Sequence, residues 1–283
     1  MENTSTILVP LDFSKCSENA LAVAVQLADK IHSKIIALHV VQITDGGGME
    51  NFAFVPDDYQ LKTEIAQKGL DESITSVVKL VRRNLSQDPD IDTLIEVGGV
   101  ETTICEAAEK HKVDYIIMGT QGEVSVLDKY MGSTAYNVIK HAPCPVMAIP
   151  ENANLPQNLV LGYATDFSTA DVYEIWKSTR MFRPFKPIVK CVHFYESPTE
   201  DTSRMKELEL YFKETNPDLD VELFNLPIHD KLKDMNNFIK REHINVFIMF
   251  KPKRGFFESL FHSSWTKELA MHSSIPLLVY KDE

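Results

Sequence analysis

The sequence predicts an α/β chain of two tandem domains, each a parallel sheet flanked by helices. Three observations carry this. The chain has 283 residues and is 44% hydrophobic, enough for two packed cores. Short apolar runs alternate with amphipathic segments, the pattern of strand–helix–strand crossovers in a parallel sheet. The second half also repeats the first. VPLDFS at residues 9–14 returns as YATDFS at residues 163–168, and His39 returns as His193, both at an offset of 154. Further on, Met118 aligns with Met249 and Pro145 with Pro276, at an offset of 131. The first copy therefore carries about 23 extra residues, placed around the Gly46–Gly48 triple glycine and the start of the next helix. The domains are expected at residues 1–150 and 151–283, with the boundary in PENANLP.

In the first copy, strands are expected at residues 6–10, 34–41, 93–97, 115–118 and 146–149. Residues 17–31 place Leu21, Val25, Ala28 and Ile31 at helical spacing. Residues 57–85 form a long charged helix with Ile65, Leu70, Ile74, Val77, Val78 and Val81 on one stripe. Residues 101–111 and 133–141 supply two further helices. The second copy places strands near residues 159–164, 187–194, 221–226, 245–250 and 277–280.

Composition narrows the function. Net charge is −12, from 12 basic and 21 acidic residues in positions 1–150 and 17 and 20 in the remainder. That balance disfavours broad nucleic-acid binding, which needs clustered Lys and Arg. No apolar run is long enough to span a membrane and no leader is evident, so a cytoplasmic protein is expected. Cys16, Cys105, Cys144 and Cys191 are scattered without a C-x-x-C pair, so reduced thiols are expected rather than a metal or redox motif. His39 and His193 lie in apolar runs without partner ligands and are read as satisfied core histidines, because zinc needs three or four convergent ligands.

The stretch MGTQGEVSVLDKYMGST, residues 118–134, spaces Gly119, Gly122 and Gly132 as G-x2-G-x9-G-S. Glycine lets backbone approach a ligand closely, and a helix opening at Gly132–Ser133 offers unpaired N–H groups to an anion. In the second copy the same positions hold Phe250, Lys253 and Ser263, amid Phe256, Phe257, Leu260, Phe261 and Trp265. These aromatics are expected to fill the vacated space, the alternative being an exposed apolar-basic surface. Asp12 ends the first strand and could also serve as a helix cap. Gly46–Gly48 is not a phosphate loop, because GxxxxGK[ST] occurs nowhere; it reads as a passive loop or a lid near the pocket mouth.

VPLDFS, LHVV, MGTQG-x9-GST and HAPCPVMAI together resemble the universal stress protein family in its tandem two-domain form, over essentially the whole chain. The resemblance implies Rossmann-like, HUP-type domains with five parallel strands in the order 3-2-1-4-5. It implies an adenine nucleotide, ATP, ADP or AMP, with or without Mg²⁺, in the N-terminal domain. Pro10, Leu11 and Val41 would wall the adenine, Asp12 would hold the nucleoside end, and Met118 and Gly119 would meet ribose and α-phosphate. Gln121 and Gly122 would lie in the loop, and Gly122, Gly132, Ser133 and Thr134 would cradle phosphate. Gln121 and Glu123 depart from the basic residues the family often shows there. The last strands of the two copies would pair as an internal pseudo-dimer, with a further homodimer and an unknown protein partner left open.

No catalytic constellation is evident. The first expectation is therefore a nucleotide-responsive stress or regulatory protein that is not a committed enzyme. A slow ATP hydrolase or nucleotidyl transferase is the second. A nucleotide-independent interaction module working through the C-terminal domain is the third.

Overall fold

The computed structural model describes residues 5–42, 56–121, 132–165, 170–195, 203–215, 219–251 and 274–281. Gly46–Gly48, Gly122, Glu123, Asp166, Lys253, Phe256, Phe257, Leu260, Phe261, Ser263 and Trp265 lie outside the described residues. The chain divides into two units, Met1–Asn152 and Ala153–Glu283.

In the first unit, β1 (Thr6–Pro10), β2 (Lys34–Val41), β3 (Ile91–Val97), β4 (Tyr115–Gly119) and β5 (Val146–Ile149) form a parallel sheet in the order β3-β2-β1-β4-β5. The register pairs Leu8 with Ile36 on one side and with Ile116 on the other. Val9, Ile36, Ile116 and Met147 are buried, as a sheet covered on both faces requires. Four helices connect the strands: α1 (Lys15–Ile31), α2 (Pro56–Val81), α3 (Val100–Lys110) and α4 (Ser133–His141). Helix α1 starts two residues before the apolar periodicity, because Ser14 caps it by accepting from the Ser17 N–H. It ends where His32 turns left-handed at φ 54 and returns its N–H to Ala28 O.

Helix α2 departs from the expected stripe, with Ile74 and Val78 only half-buried. Its buried face is Ala66, Leu70, Ser73, Val77 and Val81, whereas Ile65 is 61% exposed. The spacing 4-3-4-4 stays on one helical face, and Ile65 sits one residue, about 100°, off it. After α2, a 3-10 turn at Arg82–Asn84 leads into the loop before β3. Asp29 at the end of α1 fixes that loop, its Oδ1 accepting from the Ser86 N–H, the Ser86 hydroxyl and the Gln87 N–H.

The second unit repeats the plan. Strands β6 (Val160–Ala164), β7 (Ile188–Tyr195), β8 (Asp220–Pro227), β9 (Val246–Lys251) and β10 (Leu277–Lys281) are parallel in the order β8-β7-β6-β9-β10. Helices α5 (Ala170–Thr179), α6 (Ser203–Thr215) and α7 (Lys231–Arg241) are described, and a 3-10 segment, Arg180–Phe185, continues α5. Each unit thus has the topology 3-2-1-4-5, with its first and fourth strands side by side.

Candidate functional site

In an open parallel sheet a crevice forms at the carboxyl edge where connections leave in opposite directions, here between β1 and β4. Pro10, half-buried, ends β1, and buried Leu11 follows, its N–H donated to Leu38 O at 2.8 Å. Met118 and Gly119 end β4 beside them, Met118 buried. Val41 ends β2 opposite Val97 of β3, three residues beyond Leu38 and one strand away from the β1–β4 crevice. Asp12 is exposed at the crevice mouth. Its Oδ1 accepts from the Ser14 N–H at 3.1 Å and the Ser14 hydroxyl at 2.6 Å. Asp12 is therefore not the cap of α1; Ser14 is, and Asp12 holds Ser14 in place.

Beyond β4 the chain turns back on itself. Thr120 N–H bonds to Ile149 O at 3.0 Å, and Gly132 N–H bonds to Thr120 O at 2.6 Å. Gly119, Thr120 and Gly132 are thereby brought together. Gln121, half-buried, opens the loop that Gly132 closes. Ser133, exposed, and Thr134, half-buried, begin α4. Of the expected site residues, Gly122 alone falls outside the described residues, and Val41 stands apart from the others.

The two described glycines of the motif differ in what demands them. A Cβ on Gly119 would stand 3.0 Å from the Cys16 backbone carbon, 3.0 Å from Cys16 Sγ and 3.1 Å from Cys16 O. Close packing of β4 against the first turn of α1 therefore requires this glycine, rather than approach to a ligand alone. A Cβ on Gly132 would meet nothing closer than Thr120 O at 3.7 Å, and its φ of −61° suits any residue. No protein contact among the described residues explains Gly132. It is also the N-cap of α4 and makes no side-chain cap bond, in contrast to Ser14 on α1. No side chain among the described residues caps the first turn of α4, and the helix dipole there favours an anionic acceptor.

Phe13 and Cys16, which sequence reasoning did not place, and His39, read as a satisfied core histidine, pack beside these residues. Phe13 is left-handed at φ 66, a conformation that costs a non-glycine residue about 1–2 kcal/mol. Its ring stacks on His39, centroids 4.4 Å apart and planes at 17°. On its other side lies α2, where a Cβ on Gly69 would come within 2.8 Å of the ring. His39 is anchored in turn through Nδ1 to Leu11 O at 2.7 Å, so it is a structural histidine. Cys16, 3% exposed, donates its thiol to Ile149 O at 3.3 Å and lies 3.8 Å from Thr120 Oγ1. Cys16 falls in the first helical turn after Ser14, which was the available signal; the left-handed Phe13 left no trace in composition or spacing.

The second unit holds the same frame with different contents. His193 Nδ1 lies 2.9 Å from Thr165 O, and Thr165 N–H bonds Val192 O at 3.0 Å, repeating the His39 and Leu11 bonds. Where the first unit has Val9, Gly119 and Ile149, the second has Tyr163, Phe250 and Tyr280. Phe250 stacks on Tyr280 at 4.9 Å and 11°, and meets Tyr163 at 6.0 Å. Tyr163 and Tyr280 are each 1% exposed. The Tyr163 hydroxyl bonds to Asp171 Oδ1 at 3.0 Å and to Glu174 Oε2 at 2.8 Å, and Thr165 Oγ1 donates to Asp171 Oδ2 at 2.6 Å. Burial, reinforced by those two carboxylates, pushes the Tyr163 hydroxyl well above the usual phenol range, so it stays a donor. Burial likewise raises the Cys191 thiol. Three rings and a buried acid thus stand in the second unit where the first unit has Val9, Gly119 and Ile149 packed against α1.

Among the described residues, no group of three or more His, Cys, Asp or Glu side chains is arranged to hold a metal ion. No helix among them is long and apolar enough to cross a membrane.

A family model for the universal stress protein family matches residues 3–150. A universal stress protein of Methanocaldococcus jannaschii is 29% identical over 143 residues, 50% of this chain and 80% of that protein. One from Synechocystis is 30% identical over 149 residues, 51% of this chain and 85% of its own length. The solved structure of a universal stress protein from Archaeoglobus fulgidus superposes with a TM-score of 0.73 at 17% identity and covers 98% of both chains. That last likeness speaks to fold.

Proposed function

Because this chain belongs to the universal stress protein family, in its tandem two-domain form, we propose that its first unit binds an adenine nucleotide and that binding itself is the signal. The observation that carries this reading is Gly132. It is a glycine that neither backbone conformation nor packing among the described residues demands, at the uncapped start of α4 and tied to the end of β4. A phosphate seated there would accept from the first-turn N–H groups and from Ser133 and Thr134. The nucleoside end would lie toward Asp12, Leu11 and Met118, with Pro10 as flanking wall; Val41 is one strand removed and contributes at the rim. Gly119 serves the site indirectly by letting α1 close on β4. Any Mg²⁺ would arrive with the phosphates and keep most of its water, since the described residues offer no cage for it.

The second unit is a partner domain in this reading, with Tyr163, Phe250 and Tyr280 in place of Val9, Gly119 and Ile149. Bound ligand stabilises the folded state by RT ln(1 + [L]/Kd), about 2.7 kcal/mol at a hundredfold excess over Kd. The test is to denature the purified protein, identify released nucleotide by mass spectrometry, and titrate ATP, ADP and AMP against thermal unfolding. The expected result is stoichiometric adenine nucleotide or a clear upward shift, both lost in Gly132→Asp. Absence of release and of any shift in the wild-type protein overturns the reading.

A further inference from the structure

The second unit sets two acids around a buried phenol where the first unit, on the same frame, has neither. The Tyr163 hydroxyl lies 3.0 Å from Asp171 Oδ1 and 2.8 Å from Glu174 Oε2. At the offset of 154, the positions of Tyr163, Asp171 and Glu174 hold Val9, Ser17 and Ala20 in the first copy. Val9 and Ala20 are 0% exposed, so apolar packing serves the same strand–helix junction there. Burying acid groups costs free energy, and the junction does not require them.

A phenol has one hydrogen to give. Tyr163 is 1% exposed, and burial keeps its proton in place. Both separations lie within the range of a full O–H···O bond, yet only one of the two bonds can use the Tyr163 hydrogen. The other must take its hydrogen from the acid. This count is local to one oxygen and holds whatever further partners the two acids have. Asp171 is the ionised member. It lies in the first turn of α5, where the helix dipole favours negative charge, and its Oδ2 accepts from Thr165 Oγ1 at 2.6 Å. Glu174, half-buried, lies beyond that first turn.

We infer that Glu174 carries a proton and donates it to the Tyr163 oxygen, which donates in turn to Asp171, so that Glu174–Tyr163–Asp171 is a pH-sensitive lock between α5 and β6. Both bonds stand while the proton is in place. When the Glu174 O–H breaks and its proton passes to solvent, two carboxylates compete for one hydrogen. The lock then opens at Glu174, the more exposed end, and Asp171 stays bonded. Other titratable groups surround the chain without joining it. On β7, burial and the Asp171 charge keep Cys191 a thiol, and His193 holds Nδ1 2.9 Å from Thr165 O. From β9 and β10 come Phe250, against the Tyr163 ring, and Tyr280 stacked on Phe250. On α5, Lys177 Nζ lies 6.0 Å from the Tyr173 ring. Among the described residues, none of these bonds to the Tyr163 hydroxyl.

A folded state that holds an extra proton loses stability as pH rises. The contribution is fully present below the ordinary glutamate value of about 4.3 and is lost as pH passes through the folded one. Both tryptophans, Trp176 and Trp265, lie in the second half, so tryptophan fluorescence follows that unit. The experiment is urea unfolding of the full chain, read by tryptophan fluorescence from about pH 4.5 to about pH 8. The expected folding constant falls by up to about tenfold per pH unit over part of that range, the signature of one proton. Glu174→Gln should lose this component and match the wild type at the acid end, because its amide N–H still donates to Tyr163. His193 is common to both proteins, so the difference between the two profiles belongs to position 174. Infrared spectroscopy of the folded wild type should show the carbonyl band of an un-ionised carboxylic acid at least about one pH unit above 4.3, and Glu174→Gln should lack it. Three results overturn the inference: no such band in the wild type; a band that survives Glu174→Gln; and parallel pH profiles for the two proteins.

Discussion

Single substitutions at Gly119 and Gly132 should have opposite consequences. Gly119→Ala drives a methyl group into the Cys16 backbone, which cannot swing aside, so stability should fall by about 1–3 kcal/mol, read as a lowered unfolding midpoint in urea. Cys16→Ala would relieve the thiol contact but not the backbone one, so it should rescue the variant only in part. Gly132→Ser gives α4 the kind of cap that Ser14 gives α1, so thermal stability should hold or rise by a few tenths of a kcal/mol. Its hydroxyl would also occupy the N–H groups that the proposed function assigns to phosphate, so on that proposal nucleotide affinity should fall at least tenfold by calorimetry. The aligned residue in the second copy is Ser263. Spacing alone read all three glycines as serving a ligand. It could not divide them, because whether a Cβ is excluded by a neighbouring helix or by nothing is a matter of packing between segments distant in sequence. Phe13 shows the same limit. Gly69→Ala gains helix propensity, yet its methyl would meet the Phe13 ring wedged against His39, so a net loss of about 1 kcal/mol is expected in chemical denaturation.

Elements were far more legible than contacts. Every strand expected in both copies is present with ends within about two residues; inner strands such as β1, β4 and β5 are buried and read as apolar runs, whereas the edge strands β3 and β8 keep polar, exposed positions. The start of α1 was missed by two residues, since the apolar spacing begins at Leu21 and leaves Lys15 and Cys16 unmarked, and Ile65 was assigned to the buried stripe when Ala66, small and easily overlooked, holds that position. The tie between α1 and the loop before β3 was invisible in sequence, and it has a pH signature. Burial alone would raise the Asp29 carboxyl, but hydrogen bonds from Ser86 and Gln87, with Lys30 nearby, outweigh it and hold the group below its ordinary 3.8. A depressed folded value means that stability is fully present above the unfolded pKa and lost as pH falls through the folded one. Asp29→Asn should therefore cost about 1–2 kcal/mol at neutral pH and flatten the stability–pH profile below about pH 4, measured by urea unfolding across pH.

For the whole molecule, two compact units should give calorimetric unfolding that ligand perturbs unevenly. ATP should raise the transition of Met1–Asn152 by the mass-action increment and leave that of Ala153–Glu283 where it is, checked by scanning calorimetry with domain assignment from Gly119→Ala. The duplication was readable because strand ends and His39/His193 kept their positions. The chemistry of the second copy was readable only as a loss of glycines, since three substitutions on three different strands had to meet in space before they filled anything. That meeting has a consequence for descent. Reversing Phe250 alone would excavate a void beside Tyr163 and Tyr280, at a cost of about 3–5 kcal/mol, without restoring a pocket. With three rings braced against one another, no single substitution reopens the sibling domain, and any route back must cross less stable intermediates.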